Sequence, residues 1–326
     1  MKIIVDAFGG DNAPLEIIKG CALAVAEYGC DIILTGKEDK IKEIAQKENI
    51  SLNKISIVDA PDVISMHDDP TSITKSMKQS SMAVGLKQLS DGAGDAFISA
   101  GSTGAVLVGA TFIVKRIKGI KRPALATIMP GDNGAYLLVD CGANVDCRPE
   151  MLRDFGIMGS AYMQKIMNIE KPRIGLVNVG TEDTKGGELQ LAAYKLLKES
   201  SLNFTGNVEA RELPSSACDV AVCDGFTGNI VLKLSEGVAK SIVGSIKNIL
   251  KENLLTKLAA AMLMKGLSKF KKKMDYSEYG GAPLLGISKP VFKAHGSSNA
   301  FAIKNAVRVA IAFTEKNVIS HIESNL

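Results

Sequence analysis

The stretch VAVCDGFTGNIVLK, residues 220–233, passes from one kind of structure to another within four residues. Val220 to Cys223 are continuously apolar, the pattern of a short strand buried on both faces, whereas Phe226, Ile230 and Leu234 recur at helical spacing. Asp224 and Gly225 make the turn between them. The same strand–Gly-rich turn–helix grammar recurs in IIVDAFGGDNAP (3–14), AFISAGSTGAVL (96–107), YLLVDCGANVDC (136–147) and IGLVNVGTEDTKGG (174–187). Further apolar runs, DIILTG (31–36) and KISIVDA (54–60), complete a set of seven expected strands. Between them lie segments of helical periodicity. In PLEIIKGCALAVAEYG (14–29), Pro14 suits a first helical turn and Gly29 a C-terminal stop, and GGELQLAAYKLLKESS (186–201) is a second example. Strands alternating with helices predict an α/β, doubly wound, mostly parallel sheet.

In such a sheet the loops leaving the carboxyl ends of the strands gather at one edge, where ligands bind. The five Gly-rich exits are therefore expected to line one site. Glycine lets the backbone approach a ligand, helix N-termini offer N–H groups, and Ser102, Thr103, Asn144, Thr181, Thr227 and Asn229 add neutral donors. That wall suits an oxyanion or phosphate. Neither G-x-x-x-x-G-K-[ST] nor a G-x-G-x-x-G with its distal acid is present, so a P-loop and the ordinary dinucleotide fingerprint are excluded. Lys185, in a Gly-flanked loop, carries a mobile ammonium able to reach a phosphate or a developing oxyanion; the plain alternative is a solvated surface lysine. Asp6, Asp140 and Asp224 end strands and could bind a cation, but read better as caps and turn-formers, and no metal or cofactor is expected.

Composition narrows the class of function. In 326 residues the net charge is +4, aromatics make up 5% and Trp is absent, which argues against a nucleic-acid partner. No apolar run approaches membrane-spanning length, and residues 1–10 enter a strand without a signal-peptide pattern, so a cytoplasmic protein is expected. The six cysteines match no zinc or redox spacing and read as free thiols; Cys141 and Cys223 adjoin Gly-rich turns, yet neither has a base marked out for it.

Residues 251–274, KENLLTKLAAAMLMKGLSKFKKKM, are amphipathic. Leu254, Leu255, Leu258 and Met262 form one apolar face; Leu263, Leu267, Phe270 and Met274 form another, with lysines opposite, and Gly266 allows a bend. A basic amphipathic helix suits a membrane surface or a partner; packing on the protein's own core is the alternative. In DDPTSITKSMKQSS (68–81) the hydroxyls and lysines suit phosphate or a carrier, or simply start a helix.

Nine segments in order, VDAFGGDNAP, ISAGSTGA, RPALA, VDCGANVDCRPE, NVGTEDTKGGELQ, GNVEAREL, CDGFTGNIVLK, YSEYGGAPLLG and KAHGSSNA, resemble the successive signatures of the bacterial acyl-ACP:phosphate acyltransferase family (PlsX), over nearly the whole chain. The resemblance implies transfer of a long-chain fatty acyl group from acyl carrier protein to inorganic phosphate, giving acyl phosphate for phospholipid synthesis. It implies one domain spanning 1–326, a fold related to isopropylmalate dehydrogenase and phosphotransacetylase, and a homodimer peripherally associated with the membrane. A glycerol-3-phosphate acyltransferase would be the functional neighbour that consumes the product. Carried onto this chain, it makes Lys185 the electrostatic catalyst and Asn229 an orienting or oxyanion donor. On the strand-exit pattern, phosphate and thioester are expected to contact Gly9, Gly10, Ser102, Thr103, Gly104 and Asn144 in the first three turns. Gly180, Thr181, Asp224, Thr227 and Gly228 would do so in the last two. The membrane contact would be Leu254, Leu255, Leu258, Met262, Leu263, Leu267 and Phe270. His295 reads as a site residue or as the lead-in to a helix cap at 296–299. The rival readings are a phosphotransacetylase using a CoA thioester and a non-catalytic membrane-surface scaffold.

Overall fold

A computed structural model of the chain describes residues 1–132, 134–253, 255–257, 259–260, 262–264, 266 and 280–326. Its strands are β1 (Lys2–Asp6), β2 (Asp31–Gly36), β3 (Ile55–Asp59), β4 (Ala96–Ser99), β5 (Ala124–Gly131), β6 (Gly134–Val139), β7 (Ile174–Asn178), β8 (Phe204–Glu209), β9 (Val220–Val222), β10 (Ala282–Leu285) and β11 (Val291–Lys293). They form one sheet in the order β3-β2-β1-β4-β11-β10-β5-β6-β9-β7-β8. The helices that follow them are α1 (Leu15–Tyr28), α2 (Glu38–Lys47), α3 (Ser81–Ser90), α4 (Thr103–Gly109), α5 (Pro149–Met167), α6 (Glu188–Lys198), α7 (Gly225–Lys251) and α8 (Ala300–Glu315).

The seven strands expected from apolar runs are present, and β5, β8, β10 and β11 join them. Those four carry weaker signals. β5 contains Pro130, β8 is the polar edge strand FTGNVE, and β10 and β11 are only four and three residues long. They change the topology. β10 is antiparallel to both β11 and β5, and β5 is antiparallel to β6, so β6, β7, β8 and β9 run opposite to β1, β2, β3, β4 and β11. The sheet is two parallel halves of opposed direction rather than one parallel set. From β1 to β9 are six strand-to-strand steps, and a twist of roughly 20–25° per step accumulates to roughly 120–150°. That rotation turns the reversed strands well away from a simple antiparallel arrangement, bringing the carboxyl ends of the two sets toward one another.

Helices cover the two faces, and each face buries its own apolar layer. One layer runs from Ile3, Val5 and Ile17 through Phe155 and Met158 to Phe292 and Phe313. The other gathers Ile4, Phe97, Leu86, Leu138 and Ala221. Alternate residues of β1 and β4 therefore serve opposite layers, as a strand buried on both faces requires. α1 begins at the residue after Pro14 and ends at Gly29, whose φ of 67° is the left-handed stop expected of a glycine. Residues 68–81 resolve into helix starts: Asp69 caps a short 3₁₀ turn (Pro70–Thr74), and Ser80 caps α3.

α7 is different. It is 27 residues long, yet only Gly225 and Gly228 are buried. Phe226, Ile230, Leu234, Val238 and Ile242 make an exposed apolar ridge at four-residue spacing. Beyond it Leu255, Met262 and Leu263 are 77%, 87% and 56% exposed. Leu254 and Leu258 of the first expected face, and Leu267, Phe270 and Met274 of the second, lie outside the described residues. Among the described residues no helix is long and apolar enough to cross a membrane.

Candidate functional site

The strand exits assemble into three packed groups. In the first, the exits of β1, β4 and β11 are zipped together. The Asp11 amide donates to the Gly296 carbonyl at 2.8 Å, and the Asn12 side-chain amide donates to the carbonyls of Ser297 and Ser298. Ser99 Oγ donates to Asp6 at 2.7 Å and accepts from the Gly101 amide at 3.0 Å. A Cβ on Gly9 would sit 2.6 Å from Asp6 Oδ2 and from the Gly101 nitrogen, and one on Gly10 would sit 2.8 Å from the Gly296 carbonyl oxygen. The turns approach too closely for a side chain. Ser102 caps α4 by accepting the Ala105 amide, which leaves Thr103 and Gly104 in the first helical turn.

The second group joins the exit of β6 to the start of α7. Asp140 is fully buried and its carboxylate accepts the backbone N–H of Leu125, Gly142, Ala143 and Asn144, together with the Asn144 side-chain amide. Burial pushes its carboxyl up while these donors pull it back. Asn144 also donates to the Pro123 carbonyl at 2.8 Å. Asp224 caps α7, accepting the Thr227 amide at 2.9 Å and its hydroxyl at 2.8 Å. Gly228 lies against the Asp140 carbonyl, which a Cβ would meet at 1.9 Å. Asn229, one residue on, is exposed, and a Cβ built on Gly142 would be 3.5 Å from its side chain. Asp224 is thus spent on its own cap, whereas Asp6 also ties to Ser99 of β4 and Asp140 also to Leu125 of β5.

The third group is the exposed loop after β7, next to β9 in the sheet. Gly180 is buried, whereas Thr181 through Glu188 are exposed. Asn178 donates to the Lys185 carbonyl at 3.0 Å and Asn207 to the Glu182 carbonyl at 2.7 Å, so two amides pin the loop's backbone. The Lys185 ammonium remains in solvent, 3.8 Å from Glu182.

α7 connects the first group with the second. Asn229, Lys233 and Glu236 follow one another at helical spacing. Burial lowers the pKa of His295, and the Lys233 ammonium lowers it further; Lys293 is depressed by the same two causes, in the same order, down to about 8. The α7 face beginning at Asn229 therefore looks across at the exit of β11. His295 itself bonds Ser297 through Nδ1 at 2.8 Å, while Asn299 is the N-cap of α8.

Two features escaped the sequence reading. Lys293, in a strand of three residues, is only 9% exposed. Its neighbour His295 drew the eye within KAHGSSNA, although a lysine ending an apolar triplet was itself a signal. A cavity of about 560 Å³ also opens just beyond Asn144, lined by Lys121, Arg122, Asp146, Cys147, Arg148 and Met151. The cysteines are all free, and burial pushes the thiols of Cys141 and Cys147 up to about 12 and that of Cys223 well above its ordinary value. These are thiols that hold their protons, unsuited to nucleophilic attack.

The family model described as fatty acid synthesis protein matches residues 1–321. The chain belongs to that family. It is 49% identical over 326 residues to a protein of Thermoanaerobacterium thermosaccharolyticum named phosphate acyltransferase, covering 100% of this chain and 97% of that one. It is 48% identical, with the same coverage, to the phosphate acyltransferase of Alkaliphilus oremlandii. Among solved structures it is similar to the EutD phosphotransacetylase from Staphylococcus aureus, with a TM-score of 0.66, 16% identity, and 96% and 94% of the two chains covered. That likeness shows the fold.

Proposed function

We propose that this enzyme, a phosphate acyltransferase by its family, moves a long-chain fatty acyl group from acyl carrier protein to inorganic phosphate. The observation that carries the reading is the placement of Asn229. It is an exposed amide at the start of the 27-residue helix that leaves β9, against the tight Gly142 turn, and β9 is the sheet neighbour of β7, whose exit carries Lys185.

In this mechanism the nucleophile is the phosphate. One of its oxygens attacks the thioester carbonyl carbon, the carbonyl oxygen becomes an oxyanion, and collapse breaks the C–S bond to release the thiolate, which takes up a proton. The protein's tasks are alignment and charge stabilisation. Asn229 donates to the developing oxyanion, and the mobile Lys185 ammonium neutralises charge on phosphate or oxyanion. Ser102, Thr103, Asn144, Thr181 and Thr227, with the glycines of their turns, shape the walls. Asp224 acts there through its cap, holding the first turn of α7 in place.

The exposed ridge of α7 supports a homodimer, since a long helix with its apolar side in water is stabilised by a second copy. Leu255, Met262 and Leu263 support a peripheral membrane contact beyond it, which would release acyl phosphate close to a glycerol-3-phosphate acyltransferase. In this reading the protein works in the cytoplasm, at the membrane surface.

The donor is tested by comparing kcat/KM for long-chain acyl-ACP and acetyl-CoA with phosphate as acceptor. A large preference for acyl-ACP is expected. A preference for acetyl-CoA would replace this reading with that of a phosphotransacetylase.

A further inference from the structure

Lys293 ends β11 in the middle of the sheet, and its ammonium donates to the carbonyl oxygens of Ala100, at 3.2 Å, and Ala294. Among the described residues no carboxylate stands within ion-pair distance of it. A buried ammonium held by two neutral dipoles keeps an uncompensated charge and one further N–H, a costly arrangement unless an anion completes it. Its seat lies where the exits of β1, β4 and β11 meet, with Gly10 packed against Ala100 and the Gly296 carbonyl.

The charged groups that face Lys293 come from every wall of this space. Asp6 from β1 is committed to Ser99 and to the Phe8 amide. Asp11 lies in the turn after β1 and Lys233 on α7, while His295, in the lysine's own turn, is itself acted on by Glu236 of α7. The Lys233 ammonium adds a second positive charge that lowers the Lys293 pKa, and Asp11 and Asp6 oppose it without an ion pair among the described residues.

We propose that Lys293 is the cationic floor of an oxyanion site between the exits of β1, β4 and β11, and that a phosphate group occupies it. The inference rests on the phosphate acyltransferase reading and adds a residue to it. Two sources share the chemistry: the inorganic phosphate acceptor and the phosphodiester of a carrier's prosthetic arm. Lysine serves here as a compact point charge in a fixed seat. The bare amine loses its proton near pH 8, and an anion bound against it favours the charged form. Affinity for phosphate therefore falls as pH rises above about 8.

The test is phosphate binding measured directly by calorimetry on the full chain without acyl donor, followed by steady-state kinetics. In the wild type, phosphate affinity is expected to drop about tenfold or more between pH 7.5 and 9.5. Lys293→Met is expected to weaken phosphate binding at least about tenfold at pH 7.5 and to raise the KM for phosphate. Lys293→Arg, which does not titrate in this range, is expected to restore binding and flatten the pH profile. A rise confined to the KM for the acyl donor would assign the seat to the donor's phosphodiester. Wild-type phosphate affinity that is level across the range, with both KM values unmoved in a folded Lys293→Met, would overturn the site. Lys293 would then only tie β4 to β11. Because binding is read without turnover, failure of the site and failure of the acyltransferase reading give different results.

Discussion

Asp140 and Asn144 hold each other in place at the exit of β6: the carboxylate accepts the Asn144 backbone N–H at 2.7 Å and its side-chain amide at 2.9 Å. With three further amides on the same carboxylate, this pair sets the turn against which Gly225, Gly228 and Asn229 pack.

Replacing Asp140 with Asn puts an NH₂ among N–H donors and leaves several of them unpaired in the interior. Loss of roughly 2–4 kcal/mol is expected, since buried donors to a charged acceptor are strongly coupled to it. Denaturant titration against the wild type measures it. A change below about 1 kcal/mol would mean that the turn stands without its carboxylate.

Lys185 and Asn229 are exposed, and among the described residues Lys185 makes one loose ion pair, so truncation of either leaves the fold intact. Each alanine variant is expected to lower kcat/KM by about a hundredfold or more at unchanged thermal midpoint, as loss of an oxyanion donor typically does. Full activity in both folded variants would take these residues out of the mechanism.

Lys293 gives the stability a definite pH dependence. In the folded chain its pKa is depressed from 10.5 to about 8. Between those values the unfolded chain binds a proton that the native chain has released, so the native state gains relative stability as pH rises, by about 3 kcal/mol at most. Buried thiols act in the opposite direction: Cys141 and Cys147, raised to about 12, stay protonated in the native chain while the unfolded chain ionises. The informative quantity is the difference in stability between wild type and Lys293→Met. It should move in favour of the wild type from pH 8 to pH 10.5. A flat difference would show that the amine is not buried as described.

The grammar of alternating strands and helices was legible because β1, β2, β4, β6, β7 and β9 are uninterrupted apolar runs. The reversal at β10 and β5 was not. A four-residue strand and one broken by Pro130 carry little local pattern, and their direction is set by pairing with distant partners. The turns were legible one by one, from Gly9 to Gly228, through backbone demands that act within a few residues. Their grouping into three, and the approach of Lys233 to Lys293 across the cleft, depend on the accumulated twist of the sheet. Asp224 reads from its place between strand and helix as a cap, and both its oxygens do cap α7.

The exposed apolar surface separates into two expected behaviours. Leu234→Glu with Ile242→Glu should convert a dimer to monomer in light scattering, by charging the α7 ridge. Leu255→Glu with Met262→Glu should reduce sedimentation with anionic vesicles while soluble activity is kept. Unchanged mass in the first case, or unchanged sedimentation in the second, would remove the corresponding role.

The account stands or falls on acyl transfer to phosphate. The direct measurement mixes the purified protein with long-chain acyl-ACP and inorganic phosphate and traps the product with hydroxylamine. Acyl hydroxamate that appears only when both phosphate and enzyme are present is the predicted result. No hydroxamate, from folded protein with intact donor, would contradict it and leave a membrane-surface scaffold that has kept the fold without the turnover.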